Sequence, residues 1–205
     1  MLRFKLIVIT AIVLFAGNVY AQGITGSAHD FSGSAWNASG KICVVCHTPH
    51  NAIDAGNSPL WNHEITSVAA YTLYSNSSLD ATMGQPDGVS KLCLSCHDGT
   101  VALDNFGATT TGSNYIAAAA DLTDDLSDDH PVSMDYTTAT ASADGGLFNP
   151  SVATTSLGGT IADDLLINDK LECSSCHDAH DSAGVDDLLV MSNAASALCL
   201  TCHDK

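Results

Sequence analysis

Four copies of one motif, C-x-x-C-H, contain all eight cysteines of the 205-residue chain and four of its nine histidines. They occupy 43–47, 93–97, 173–177 and 199–203, and we number them sites 1 to 4 in chain order. Cysteine pairs at this spacing suit zinc binding, a redox disulfide or covalent attachment of a cofactor. The cysteines are Cys43, Cys46, Cys93, Cys96, Cys173, Cys176, Cys199 and Cys202, and the histidines that follow them are His47, His97, His177 and His203.

The histidine directly after each second cysteine decides among these three chemistries. Zinc sites do not require a histidine there, and a redox disulfide is normally a single pair. C-x-x-C-H is instead the signature of c-type haem attachment, in which two thiols bond to the haem vinyl groups and the histidine ligates iron. The sequence therefore predicts four covalently attached haem c groups.

The sixth ligand of each iron determines whether such a chain transfers electrons or catalyses a reaction. Five imidazoles outside the motifs for four axial positions favour bis-histidine ligation of every haem. Methionines 83, 134 and 191 are chemically able to ligate iron, but packing is their expected role. The candidate distal ligands are His29, His50, His63, His130 and His180.

Two of these histidines follow a motif histidine by three residues, His50 after His47 and His180 after His177. In a helical segment such side chains lie about 5–6 Å apart, too close to reach opposite faces of one porphyrin. Each pair must therefore ligate two different haems. The spacing predicts haem pairs in near contact, an arrangement suited to electron hopping.

The order of the attachment sites gives a predicted pairing of distal ligands with haems. His50 is assigned to site 2, His180 to site 4, His130 to site 3 and His63 to site 1. His29 is then the surplus ligand, on a polar and exposed arm at 23–40 from which it could reach the iron of a neighbouring subunit. The alternative is that His29 is a solvent-exposed residue of a flexible terminus.

The elements that hold these residues are expected to be short. Aromatic residues form only 6% of the chain, so it has little large apolar surface with which to offset conformational entropy. We expect a mostly irregular, loop-rich fold with short helices and little β structure, wrapped around four haems. Ser192 or Asn193 is expected to cap a helix at 194–198, and 107–170 is expected to be an irregular, haem-free excursion.

The first 21 residues have the pattern of a secretory signal peptide. Arg3 and Lys5 precede an apolar run at 6–16, and Val-Tyr-Ala at 19–21 resembles a cleavage site. The mature chain is then a tetrahaem domain at 22–205 without a membrane span. It is expected to be secreted to the extracellular space or the outer cell surface, with the periplasm as the alternative.

Charge restricts the partners of the mature chain. Without Arg3 and Lys5 it carries four lysines and no arginine against 23 acidic residues, a net charge of −19. Such a surface repels nucleic acid, so we expect no nucleic-acid partner. Some haem propionates are expected to meet Lys41, Lys91 or Lys170, or to share Ca²⁺ or Mg²⁺ with an aspartate. The acidic run at 124–129 is expected to be a solvated loop, with calcium binding by Asp124, Asp125, Asp128 and Asp129 as the alternative.

Several segments resemble a known group of proteins. CVVCHTPHNA at 43–52, PLWNHE at 59–64 and LCLSCHDGTVALD at 92–104 look like outer-surface multihaem cytochromes of metal-reducing bacteria. The HPV at 130–132 and the closing pair of motifs look like cytochromes with doubled C-x-x-C-H motifs. With four haems, the chain is most similar to OmcE-type tetrahaem cytochromes. That resemblance implies bis-histidine haems, continuous haem stacking along an extracellular nanowire, and one axial ligand donated between subunits.

We therefore expect an electron-transfer protein rather than an enzyme. The expected partners are further copies of the chain in a head-to-tail homopolymer, redox partner cytochromes and extracellular metal oxides. One alternative is a monomeric periplasmic tetrahaem shuttle. Another is a multihaem reductase of nitrite or hydroxylamine, which needs one iron with an open position. The sequence leaves the electron donor, the terminal acceptor and the reduction potentials open.

Overall fold

The computed structural model describes residues 23–55 and 60–204, so the signal peptide predicted at 1–21 lies outside the described residues. Loops and turns dominate the chain between short regular elements, as expected from the sequence. Within the described ranges, no helix has the length and apolar character needed to cross a bilayer. The α-helices are α1 (Gly88–His97), α2 (Thr138–Asp144), α3 (Ile161–Asp164) and α4 (Ala197–Cys202).

The named strands are two residues each and form two separate pairs. β1 (Thr72–Leu73) pairs in parallel with β2 (Asp125–Leu126), and β3 (Met134–Asp135) pairs antiparallel with β4 (Lys170–Leu171). Single 3-10 turns at Phe31–Gly33, Cys173–Ser175, Asp186–Leu188 and Ala194–Ser196 complete the regular structure. The prediction of little β structure is confirmed.

Helix α1 is the longest element and contains all of site 2. Its buried face packs against Tyr71 and Leu126 through Leu94, which is 1% exposed. The helix ends at Asp98, whose carboxylate accepts hydrogen bonds from the hydroxyls of Thr66, Tyr71 and Thr100. These bonds fix the end of the helix at which His97 lies.

Gly99 permits the chain to leave α1. Its φ is +70°, and a Cβ there would lie 2.5 Å from Oδ2 of Asp121. Gly107 has a similar φ of +62° but nothing within 4 Å of its Cβ position. Gly107→Ala should therefore suffer only left-handed strain of about 1–2 kcal/mol, whereas Gly99→Ala must also displace Asp121.

We accordingly predict a clearly larger fall in Tm for Gly99→Ala than for Gly107→Ala when the haem-loaded proteins are melted. Equal falls would show that the Asp121 contact has no influence on stability.

The segment 107–170, expected to be an irregular excursion, contributes most of the larger hydrophobic core. Tyr136 is 1% exposed and Ile161 0%, and both pack with Met134, Leu165 and Leu171. Helices α2 and α3 begin with side-chain caps from Thr137 and Thr160. Helix formation in this Thr-, Ala- and Asp-rich segment therefore depends on local capping and on burial of a few scattered apolar residues.

The N-terminal arm at 23–40 packs against the chain, in contrast to the predicted exposed arm. Gly23 lies so close to the backbone carbonyls of His180 and Asp181 that a Cβ would clash with them. Nδ1 of His29 lies 3.3 Å from the carbonyl oxygen of Ala179. Asn37 is 3% exposed and donates to two backbone carbonyls.

Candidate haem sites

Each C-x-x-C-H motif folds into one helical turn. At sites 1, 3 and 4 the histidine N–H donates to the carbonyl of the first cysteine at 2.8, 3.0 and 3.0 Å, and site 2 lies within α1. Residues three and four positions apart share a helix face. Both thiols and the imidazole therefore lie on one side of each turn, as attachment of one haem requires.

Neighbouring segments hold the turn of site 1 in place. Val45 is 1% exposed, and the side-chain amide of Asn62 donates to the carbonyl of Val44 at 2.5 Å. The backbone N–H of Asn62 donates to the carbonyl of Cys46 at 2.9 Å. At site 4, the predicted helix at 194–198 begins as a 3-10 turn and continues as α4, and Asn193 accepts from the N–H of Leu198.

No two of the eight cysteines form a disulfide. Burial raises the pKa of Cys46 to about 11, that of Cys96 to about 12 and that of Cys202 to about 11. These three sulfurs are therefore largely shielded from water.

The thiols of successive sites lie close enough to influence one another. Cys46 of site 1 contributes to the raised pKa of Cys96 of site 2, after burial. A hydrogen bond to Cys173 of site 3 is the main cause that raises the pKa of Cys93 of site 2. Burial, and then Cys199 of site 4, raise the pKa of Cys176 of site 3. The four sites are therefore neighbours in the order 1, 2, 3, 4.

Backbone carbonyls orient four of the imidazoles. The Nδ1 atoms of His97 and His177 lie 2.9 Å from the carbonyls of Ala120 and Asp187. The Nδ1 atoms of His130 and His29 lie 3.0 and 3.3 Å from the carbonyls of Pro131 and Ala179. A histidine that donates through Nδ1 presents the lone pair of Nε2, which is how metal-ligating imidazoles are commonly oriented.

Three pairs of imidazole rings stand at nearly the same separation. The ring centres are 6.2 Å apart in His47–His180, 6.1 Å in His29–His97 and 6.3 Å in His130–His203. Every pair combines one motif histidine with one histidine outside the motifs. No histidine occurs in two of these pairs.

This separation fits a metal ion between the rings. A metal–imidazole bond is about 2 Å long and the ring centre lies about 1 Å further on, so two imidazoles on opposite faces of one iron have centres about 6 Å apart. The residues present therefore fit haem iron at sites 1, 2 and 4. The observed pairs differ from the sequence-based assignment, which placed His180 at site 4, His130 at site 3 and His29 between subunits.

His63, predicted to be the distal ligand at site 1, is a buried residue with both ring nitrogens occupied. Its side chain is 1% exposed, with Nδ1 2.8 Å from the carbonyl of Glu64 and Nε2 3.1 Å from that of Ala102. Burial lowers its pKa, so the ring is neutral and donates to one of the two carbonyls. Nε2 also lies 3.6 Å from Sγ of Cys96 at site 2, and we interpret this environment as that of a structural histidine.

We predict that His63→Gln keeps every haem low-spin but lowers the stability of the protein. The glutamine does not reproduce the buried hydrogen bonding, which costs about 1–3 kcal/mol. The matched variant His29→Gln should convert one haem to high-spin with less effect on Tm. Electron paramagnetic resonance and thermal melting distinguish the two, and a high-spin signal from His63→Gln would make His63 a ligand.

His50 and His177 are the two histidines that remain, and both are exposed. No second imidazole lies at the pair distance from His177, although all nine histidines are within the described ranges. His50 lies in the loop after site 1, and the described residues give its ring no hydrogen bond. Site 3 thus has its motif histidine but no opposing imidazole, and His50 is the one exposed imidazole outside both the motifs and the pairs.

Two buried hydrogen-bond donors near the motifs are without a protein partner among the described residues. One is Nε1 of Trp61, whose ring stands perpendicular to that of His47 at 6.2 Å, and the other is Oγ of Ser174 within site 3. Haem propionates are acceptors that suit such donors. Lys170, expected to meet a propionate, instead bonds Asp87 at 2.6 Å.

The described residues contain no preformed cluster of side chains for a divalent cation. Nowhere in 23–55 or 60–204 do three or more His, Cys, Asp or Glu side chains converge as ligands for a metal ion. The acidic residues at 124–129 are thus not part of such a group.

The comparison with known families covers the end of the chain. Residues 167–205 match the model of the doubled CXXCH motif family. No curated protein matches the sequence. The match and the motifs together indicate covalently bound haem c and support a multihaem c-type cytochrome that works in electron transfer.

Proposed function

We propose that the chain conducts electrons through four bis-histidine haems and that copies of it assemble into an extracellular filament of the OmcE type. The observation that carries this proposal is the set of three imidazole pairs, each joining a motif histidine to a histidine outside the motifs. Two imidazoles on an iron leave no position for a substrate, so these sites suit electron transfer rather than catalysis.

The residues divide into three roles. The eight cysteines would hold the haems, the motif histidines would supply one ligand to each iron, and His180, His29 and His130 would supply the second ligand at sites 1, 2 and 4. Bound haem supplies a one-electron Fe(III)/Fe(II) couple. Because the thiols of sites 1 and 2, 2 and 3, and 3 and 4 are neighbours, the chain holds its four haems in a continuous row.

The incomplete set of ligands at site 3 supports the proposal that the chain assembles into a filament. His177 is exposed, donates to the carbonyl of Asp187 and meets no second imidazole within its own chain. His50 is exposed in the loop that follows site 1. His50 of one subunit therefore completes site 3 of the next. A head-to-tail contact of this kind does not close on itself and propagates as a filament.

Coordination across the junction also counteracts the electrostatic repulsion between subunits. Subunits with a net charge of −19 repel one another, so a largely electrostatic contact between copies is unfavourable. An iron–imidazole bond through His50 would supply binding energy that offsets that repulsion. Redox partner cytochromes and metal oxides outside the cell are the expected donors and acceptors of such a filament, and the chain remains an electron-transfer protein without a substrate site.

The same observation at site 3 also favours a second candidate. An exposed His177 without an opposing imidazole is what a multihaem reductase of nitrite or hydroxylamine needs at its open iron. In a monomeric periplasmic shuttle, His50 of the same chain would instead have to reach that iron.

Negative-stain imaging of the secreted protein, combined with its spin state, separates the three candidates. Filaments whose haems are all low-spin support the proposal. Monomers with only low-spin haems indicate the shuttle, and a high-spin haem with nitrite-dependent oxidation of the reduced protein indicates the reductase.

A further inference from the structure

A buried glutamate lies between sites 2 and 3. Glu172 directly precedes Cys173 and is 3% exposed. Its Oε2 accepts from the backbone N–H of Ser90 at 3.3 Å, from the Ser90 hydroxyl and from the Ser133 hydroxyl at 2.9 Å. Ser90 belongs to α1, the helix that carries site 2, so the carboxylate connects the two attachment sites.

Hydrogen-bond donors surround the side chain of Glu172. The Ser90 hydroxyl oxygen accepts from the N–H of Cys173 at 3.0 Å, and the Ser133 oxygen accepts from the N–H of Asp87 at 3.1 Å. Both hydroxyls therefore direct their own hydrogens toward Glu172. The N–H of Ser175 donates to the same side chain. Every neighbour donates, so the negative charge is stabilised without a counter-ion.

The charge is close to the haem-bonding thiols. After the hydrogen bond to Cys173 and burial, the Glu172 carboxylate is among the causes that raise the pKa of Cys93. Lys170, whose pKa the Glu172 carboxylate helps to raise after Asp87, forms its ion pair with Asp87 at 2.6 Å and none with Glu172. Burial keeps water from screening the field of Glu172 at sites 2 and 3.

We propose that Glu172 is a redox-tuning residue, whose buried negative charge lowers the reduction potentials of the haems attached at sites 2 and 3. Ferric haem carries one more positive charge than ferrous haem, so a nearby carboxylate favours the ferric state. At a distance on the order of 10 Å and an effective dielectric constant of about 20, one charge changes the reduction equilibrium roughly tenfold. For a one-electron couple this corresponds to about 59 mV.

The test is a spectroelectrochemical titration of the haem-loaded protein with Glu172→Gln. The midpoint potentials of the low-potential haems should rise. The rise should correspond to a roughly tenfold change in the equilibrium constant for reduction. A purely structural role predicts the opposite sign, because a loosened site admits water and favours the ferric state. Asp169→Asn is the matched control. It removes the same charge from an exposed residue three positions earlier, at a φ of +62° that asparagine tolerates.

An unchanged or lowered curve for Glu172→Gln, or an equal rise for Asp169→Asn, would overturn the proposal. If Glu172→Gln does not load haem, Ser133→Ala provides the test, since it keeps the charge and removes one donor. The haem potentials of Ser133→Ala should fall slightly, and a rise would contradict the proposal. The proposal rests on haem loading at sites 2 and 3, so the mass of the protein is measured first. Missing haem mass in the wild type would overturn the proposed function and the role of Glu172 together, whereas an unchanged potential in fully loaded Glu172→Gln overturns the role of Glu172 alone.

Discussion

Replacing His50 by alanine is expected to abolish filaments and to leave one haem in four high-spin. His50 is exposed, belongs to none of the imidazole pairs, and is the one histidine available for site 3 once His63 is set aside as structural. Without it, the iron at site 3 keeps only His177, and the bond between subunits is lost. Negative-stain imaging and electron paramagnetic resonance of the secreted protein measure the two effects.

Ala52→Ser is the matched control, because Ala52 is exposed in the same loop and has no ligating atom. This variant should form normal filaments with low-spin haems. Added imidazole should restore the low-spin spectrum of His50→Ala without restoring filaments. Filaments of normal length in His50→Ala would assign the junction to other residues.

The second large effect is expected from combined replacements at site 1. His180→Ala should convert one haem to high-spin, because the His180 ring lies 6.2 Å from that of His47 and nearly parallel to it, at 14°. Adding His47→Ala to this variant should perturb the same haem, so that three low-spin haems remain. Adding His203→Ala instead should perturb a second haem and leave two.

The count of low-spin haems in the two double variants separates the observed pairing from the sequence-based one. If His180 ligates site 4, the counts are reversed, since His180 and His203 would then share an iron. Haem attachment in each variant is checked by mass, because incomplete loading would lower both counts alike.

The attachment chemistry could be predicted from the sequence because it is local. C-x-x-C-H places two thiols and an imidazole within one turn, and the structure has that turn at all four sites. The loop-rich fold was also predictable, since a chain with 6% aromatic residues has few large side chains from which to build layers.

The distal pairing could not be predicted because it is a tertiary property. The His180 ring faces that of His47, a different site from that of His177, whereas proximity in sequence favoured site 4 for His180. The packed arm, with Gly23 against the carbonyl of His180 and His29 against Ala179, brings candidate ligands of sites 1 and 2 from distant parts of the chain. The burial of His63 and its two carbonyl neighbours leave no signal in sequence.

The core in 107–170 was missed for a related reason. Met134, Tyr136, Ile161 and Leu171 are spread over 38 residues and show no helical or strand periodicity. Turns at Gly145 and Gly159 and the capped helices α2 and α3 bring them together.

Electron cryomicroscopy of the native secreted protein tests the central claim most directly. The account predicts a filament with four haems per subunit, whose irons lie between His47 and His180, between His97 and His29, and between His203 and His130. The fourth iron should lie between His177 and the His50 of a neighbouring subunit. An iron ligated by His63, or a site 3 iron with no imidazole opposite His177, would contradict it.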